Sequence, residues 1–442
     1  MANNQELLNS LYNAFNPFSP LEPGDPVYVD CEEVRGDGDI REDLGNRIRR
    51  SKWMTCQLYG GHRGTGKSTE LLRLKQSLEE NKIKVIYFTA DEQDIDPEDA
   101  QYVDILLACT RHLLEDFREV NPSPLLNWLQ SRWKELKDLA LTEIKFEDLK
   151  VEAQIALFAK ITANLRAVPD LRHKIREKVN PYTVTLIEAL NQFINDAKKQ
   201  LPAGYEQLVV IADNLDRIVP IFYENGRSNH EEIFLDRSEQ LKALDCHLVY
   251  TVPISLIYSS RATDLREIYG NQQVLPMIMV QTPDGQIYDP GYLKVKEIIE
   301  KRVRQFAPTR SLETDIFDSP ETLKALCLMS GGHVRNLLLL MQTAIGETED
   351  LPISKKAVQR AITTTRITYG QAVKDDQWIL LAEVAKSKRV RNDDKYRKLL
   401  FNRCILEYRY FDSEDELCCW YDVHPLIQGI KEFKDAYQQL QS

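Results

Sequence analysis

The chain reads as an α/β protein, a buried sheet with helices around it, and three observations carry that reading. A glycine-rich turn, Gly61-His62-Arg63-Gly64-Thr65-Gly66-Lys67-Ser68, lies between a strand pattern and a helix pattern. Short apolar or β-branched runs recur over the first 280 residues, bounded by turn residues and separated by helical periodicity. The length of 442 residues suggests roughly three domains, so a core can form without a metal or disulfide staple.

Residues 1–50 hold a loop dense in proline, Asn16-Pro17-Phe18-Ser19-Pro20-Leu21-Glu22-Pro23-Gly24-Asp25-Pro26. Proline fixes φ and restricts the residue before it, so this segment is expected to be extended. A strand over 55–59 precedes the glycine-rich turn, and Leu71, Leu72, Leu74 and Leu78 mark the helix after it. A second strand is expected at 84–89. Residues 99–200 carry only helical patterns, broken at Asn121-Pro122, Val168-Pro169 and Asn180-Pro181. Strands follow at 208–212, 247–252 and 274–280. From 290 to 370 the pattern is helical. Helices at 378–386 and 394–401 then precede strands at 405–411 and 417–423, the order of a winged helix. The expected domains are an N-terminal extended segment (1–50), a nucleotide-binding core (51–285, insert 99–200), a helical lid (286–372) and a winged helix (373–442).

Hydrophobic residues are 43% and charged residues 28%, a globular composition that excludes disordered and collagen-like classes. The net charge of −11 argues against a bulk nucleic-acid coat. No apolar run reaches the ~18–20 residues of a membrane span. The N-terminus lacks the basic and apolar regions of a signal peptide. The eight cysteines show no zinc spacing and read as free thiols of a reducing cytoplasm.

The turn matches GxxxxGK[ST] at every fixed position and in the strand–helix context that motif needs. Glycines let successive N–H groups curl around a phosphate, and the helix N-terminus adds positive potential. Gly61 to Ser68, with Thr69 beyond, are therefore candidate nucleotide contacts. Lys67 would reach the β- and γ-phosphates, and Ser68 would ligate Mg²⁺. The run Leu208 to Ala212 is apolar enough to be buried on both faces. It ends in Asp213, which would hold the magnesium through water. Asn214 follows, where hydrolases of this kind often carry Glu, so hydrolysis is expected to be slow. Asp216 either polarises the attacking water or caps a helix. Thr251, at the end of the next strand, either senses the γ-phosphate or is an ordinary strand-end residue. In Ser330-Gly331-Gly332-His333-Val334-Arg335-Asn336 the glycines make a tight turn. Arg335 then sits in a first helical turn, where a cation opposes the dipole unless an anion is near. The alternative is a surface arginine.

GHRGTGKSTEL at 61–71, VVIADNLDRI at 209–218 and SGGHVRN at 330–336, in that order, resemble the STAND/AAA+ ATPases. The resemblance is to a bacterial branch akin to origin-recognition ATPases, and it runs from about 17 to 345. It implies a parallel sheet of order 5-1-4-3-2 with a helical lid, ATP and Mg²⁺ as cofactors, and Arg335 as the lid's sensor. It also implies adenine contacts from Tyr28 and Val34. An arginine finger acting on a neighbour's nucleotide would be Arg261 or Arg266, either of which could equally be a surface arginine. Two features depart from the family. Arg217 stands where many relatives carry Glu, and neither repeats nor a fused effector follow.

Between Lys386 and Arg403 the local charge is +6. On a winged helix, Lys388, Arg389, Arg391, Lys395, Arg397 and Lys398 would be the DNA contacts, and binding would weaken steeply with salt. The alternatives are a solvated face or a docking surface for an acidic partner. The acidic run Asp91 to Asp96 reads as a solvated loop, and His424 as structural. Three functions follow. The first is an ATP-dependent switch that assembles as a homo-oligomer or engages a separate effector, with phage defence or signalling implied by the resemblance. The second is a DNA-acting ATPase of the initiator or transposition-regulator kind. The third is a non-hydrolysing nucleotide-binding scaffold.

Overall fold

The computed structural model describes residues 4–36, 38–132, 151–224 and 226–441. Part of the expected helical insert, 133–150, lies outside the described residues. In chain order the first elements are α1 (Asn4–Ala14), α2 (Ile40–Arg50), β1 (Cys56–Gly61), α3 (Lys67–Glu80) and β2 (Ile83–Thr89). After a short helical turn at Ala90–Gln93, the longer described helices are α4 (Tyr102–Asp116), α5 (Ser123–Ser131), α6 (Val151–Ala167), α7 (Pro169–Val179) and α8 (Thr183–Lys199). Then come β3 (Gln207–Asp213), β4 (His247–Thr251), α9 (Ala262–Tyr269) and β5 (Gln273–Leu275). The rest is α10 (Asp289–Arg304), α11 (Pro320–Met329), α12 (Val334–Gly346), α13 (Lys355–Ala372), α14 (Trp378–Ser387), α15 (Asp394–Phe401), β6 (Ile405–Phe411), β7 (Leu417–Val423) and α16 (Lys431–Gln439).

The chain forms two compact units. The sheet unit is Ile40–Gly60 with Arg73–Gln273, and the loop unit is Met1–Asp39 with Gly61–Leu72 and Val274–Ser442. Five strands run in the order β2-β3-β4-β1-β5, and the pairs β2·β3, β3·β4 and β4·β1 are parallel. Leu208 to Ala212 are fully buried, which accounts for an apolar run without alternation. Thr89 pairs with Asp213, and Ala212 with Tyr250. Asp213 and Thr251 therefore stand at the carboxyl ends of adjacent strands. α2 buries Ile40, Leu44 and Ile48 at spacing four, one face of a helix.

The acidic run at 91–96 is not a solvated loop. Asp91 pairs with Arg217, Asp94 with Arg111 and His112, and Asp96 with Arg172. Asp99 and Asp104 add Arg176, so these carboxylates tie α4 and α7 together. Burial is the largest influence on Asp104 and raises its pKa against the opposing pull of Arg176.

In the loop unit, one core joins Leu7, Leu8, Leu11 and Phe15 to α10, α11, α12 and α13. In the N-terminal fifty residues, apolar residues at helical spacing form α1 and α2 at either end, and the proline-rich middle runs through bends and turns. The strand expected at 274–280 stops at Leu275. Pro276 has no N–H to give a ladder. Beyond it, Met277 N bonds Glu407 O, Ile278 N bonds Gly332 O and Met279 N bonds Val34 O. Three separate chain segments therefore converge on residues 277–279. β6 and β7 pair antiparallel from Ile405↔Val423 to Phe411↔Leu417. Among the described residues, no helix is long and apolar enough to cross a membrane.

Candidate functional site

The loop 61–68 bends through three glycines in the left-handed region, Gly61 (φ 136), Gly64 (φ 89) and Gly66 (φ 109). A Cβ on Gly61 would lie 2.6 Å from Leu275 O. On Gly64 it would lie 2.6 Å from His333 Cε1 and 2.7 Å from Arg335 Cβ. On Gly66 it would meet nothing within 4 Å, so the loop opens on free space at the head of α3. That opening beside a helix N-terminus suits a phosphate. Lys67 is buried, and its Nζ donates to Gly61 O (2.9 Å) and His62 O (2.8 Å). The Thr65 hydroxyl donates to His62 O at 3.0 Å, and Thr69 Oγ1 accepts from Leu21 N at 3.1 Å. Ser68 is half-buried in the first turn of α3.

Arg335 does fall in the first turn of α12, directly on this loop. Its N–H donates to Gly64 O at 3.0 Å, and its Nε donates to Pro17 O at 3.3 Å. His333 is the N-cap of α12. Its Nδ1 accepts from Asn336 N, and its Nε2 lies 2.7 Å from Arg63 O, so it carries the proton there. His62 turns away from the loop's opening, and its Nε2 accepts from Glu407 N of β6 at 3.2 Å. Burial, then the Lys67 ammonium, push the His62 pKa down to about 3. Burial, then Arg403, hold His333 well below its ordinary value and bring His424 to about 3. His424 is fully buried, with Nε2 2.7 Å from the Asn336 side-chain amide, which agrees with its structural reading.

The two residues expected at adenine separate. Tyr28 is half-buried, and its hydroxyl donates to Glu70 Oε1 at 3.1 Å. Val34 is 1% exposed and belongs to the loop unit's core. Its side chain packs among core residues, so a base contact from it is corrected to a packing role. Between them and the loop stands Arg35, whose Nη2 donates to Thr65 O at 2.9 Å.

In the sheet unit, Asp213 is fully buried. Its Oδ2 accepts from Tyr87 OH and its Oδ1 from Asn214 N, each at 2.7 Å. Asn214 takes φ +64, a conformation its short amide side chain tolerates. The cap of the short helix Leu215–Arg217 is thus Asn214, while Asp216 lies buried within it. The Thr251 hydroxyl is fully buried, accepting from Leu215 N (2.9 Å) and donating to Ala212 O (3.5 Å). These bonds brace the strand end, so the sensing role for Thr251 is corrected to a structural one. Arg261 is held by Asp264 (2.9 Å) and Asp236 (2.8 Å), and Arg266 is exposed in the last turn of α9, where a cation suits the dipole. Both fit the alternative of surface helix arginines.

The basic face is largely neutralised inside its own unit. Lys388 pairs with Asp422 (2.7 Å), Arg391 with Glu383 (3.2 Å) and Lys395 with Asp376 (3.1 Å). Arg397 is 8% exposed and pairs with Asp394, so it is corrected from a DNA contact to a buried structural cation. Arg389, Arg391, Lys395 and Lys398 are all exposed.

The sequence reading did not single out Arg35, Tyr87 or the contacts of His62 and His333. His62 fills a variable position of the loop motif, and its partner is 345 residues away. Tyr87 lies on β2, where its alternation with Ile86 and Phe88 looks like ordinary core.

No protein-family model and no curated protein matches the chain. Solved structures similar to it include the Aeropyrum pernix ORC2 protein in ADPNP–ADP complexes, at 11% identity over 97% of this chain and 98% of that one, TM-score 0.41. Another is CDC6P from Pyrobaculum aerophilum, at 12% identity over 97% and 98%, TM-score 0.39. A third is the Aeropyrum pernix ORC1 protein in complex with DNA, at 13% identity over 94% and 95%, TM-score 0.38.

Proposed function

We propose that the chain is an ATP-binding, slowly hydrolysing switch that couples its nucleotide to engagement of a partner. The phosphates lie on the loop 61–68, Lys67 and Arg335 balance their charge, and Ser68 and Asp213 serve the magnesium. The magnesium, when bound, neutralises charge on the phosphate oxygens. Asp216 orients the attacking water. Hydrolysis is slow because Asn214 and Arg217 replace the acidic residues that would activate that water.

One observation carries the switch. The loop's own groups are the hydrogen-bond partners of two distant elements. Gly64 O and Arg63 O hold the start of α12, and the His62 imidazole holds β6. A loop that rearranges with the γ-phosphate therefore changes what both elements can bind. Helix α14, helix α15 and the β6–β7 hairpin follow the order of a winged helix, a module suited to passing that change to a partner protein. A setting in phage defence or signalling rests on the resemblance of the motifs.

The test is calorimetry of ATP·Mg²⁺ on the full chain, with light scattering in ATP and in ADP. Lys67→Ala is expected to lower ATP affinity about 10–100-fold, the effect of losing a charge-assisted bond. Equal affinity in wild type and variant, or no binding by either, would sink the reading. A second reading, action on DNA, rests on the exposed Arg389 and Lys398. Arg389→Glu with Lys398→Glu is expected to leave ATP binding intact and to abolish any low-salt retention of duplex DNA. Retention that survives the pair would remove these residues from the DNA reading.

A further inference from the structure

We propose that Arg35 is a second cation of the phosphate site and binds the nucleotide's phosphate chain. This deepens the ATP-binding reading and rests on it. The sequence reading carried Tyr28 and Val34 toward the nucleotide and passed over the arginine beside them.

Arg35 is 7% exposed. Its Nη2 meets the neutral carbonyl of Thr65, and its Nε meets nothing. Among the described residues no carboxylate pairs with it. Burying a guanidinium without an anion is costly, because one neutral carbonyl does not replace its hydration. Three other buried arginines among the described residues pair with carboxylates. Arg172 bonds Asp96 and Asp99, Arg176 bonds Asp99 and Asp104, and Arg397 bonds Asp394. Arg302 instead bonds the Ile298 carbonyl, and burial pushes its pKa down to about 10 against the weaker pull of Asp25. Among the described residues, Arg35 and Arg302 each bond a carbonyl and pair with no carboxylate, and Arg35 does so at the glycine-rich loop.

Its placement is fixed by its neighbours. Arg35 N donates to Glu32 O at 2.9 Å, and Val34 O accepts from Met279 N at 3.0 Å. Gly36 sits at φ +76 so close to Arg409 that a Cβ would come within 3.1 Å of Arg409 Cβ. The backbone around position 35 is thus held on both sides, and the side chain runs to Thr65. The next residue, Gly66, opens on free space at the head of α3, a helix of 14 residues. A buried cation with no carboxylate partner among the described residues and a helix N-terminus favour the same ligand, an anion between them. A nucleotide's phosphate chain supplies it, and the planar guanidinium suits two phosphate oxygens at once.

The experiment measures binding of ATP to the full chain, and displacement of a fluorescent ATP analogue by inorganic tripolyphosphate. Wild type, Arg35→Gln, Arg35→Lys and Lys67→Ala are compared. Arg35→Gln is expected to weaken ATP and tripolyphosphate alike, about 10–100-fold, and Arg35→Lys to recover part of the loss. The melting temperature without nucleotide should not fall in Arg35→Gln, because an uncompensated buried charge has been removed. Unchanged affinity for both ligands would overturn the proposal. So would a loss confined to ATP, or tripolyphosphate that cannot displace the analogue from wild type. A lowered melting temperature with wild-type affinity would make Arg35 a structural brace and also overturn it. Failure of wild type to bind ATP at all would instead remove the ATP reading underneath.

Discussion

Gly332→Ala is expected to cost at least about 4 kcal/mol of stability, the range reserved for severe steric conflict. Gly332 sits at φ +73, and a Cβ there would lie 1.8 Å from Ile278 O and 2.8 Å from Ile278 C. Those atoms are backbone and cannot turn aside. Residue 278 is also held, because Met277 and Met279 on either side bond Glu407 O and Val34 O. Relief would require moving the turn Ser330–His333, whose far side bonds the glycine-rich loop through His333. Thermal melts and denaturant titration check the effect. Gly346→Ala is the control, since a Cβ there meets nothing within 4 Å and alanine favours a helix by about 0.5–1 kcal/mol. Similar midpoints for the two variants would contradict the packing described around Ile278.

Acid is expected to weaken the loop unit well above the range in which carboxylates titrate. His62, His333 and His424 are buried, and their imidazoles hold bonds from Glu407 N, Asn336 N and Leu426 N that need an unprotonated nitrogen. Their folded pKa values are depressed, to about 3 for His62 and His424 and well below the ordinary value for His333. In the unfolded chain each titrates near about 6.5. Above that pH both states are neutral and the stability is fully present. As pH falls below about 6.5 the unfolded chain gains protons that the folded chain refuses, so stability drops. The drop continues toward pH 3, at about 1.4 kcal/mol per pH unit for each histidine. Three together give on the order of 4 kcal/mol per unit. His230 and His247 of the sheet unit are also depressed, to about 4, and add to the measured slope, so urea midpoints at pH 7.5, 6.5 and 5.5 should show His62→Gln with His424→Gln flattening it by about two-fifths. A midpoint that is constant across this range would show that the three imidazoles do not set the acid limit.

Most of the local structure was legible along the chain. The strands at 83–89, 207–213 and 247–251, the loop 61–68, and the helices and hairpin from 378 to 423 all lie within a residue or two of expectation. Each is encoded by neighbours: periodicity, turn residues, and glycines that alone tolerate the required φ. Arg335 at the head of a helix was legible for the same reason, because two glycines and an N-cap lie beside it.

Tertiary structure settled what depends on charge and burial. The acidic run 91–96 holds arginines up to 126 positions away, so its composition suggested solvent where there is packing. The basic segment 388–398 reads along the chain as unpaired cations, and only the fold shows Asp376, Glu383 and Asp422 pairing with three of them. Thr251 and Val34 matched positions in a pattern, but their side chains face backbone and core. Arg35 and His62 carried no local signal, because one is defined by its burial against the Thr65 carbonyl and the other by a strand at residue 407. The sequence by itself thus determined the elements and the glycine-rich loop, whose causes are short-range. Only the folded chain determined which charges are balanced and which imidazoles are buried, since solvation and pairing depend on residues far apart in sequence.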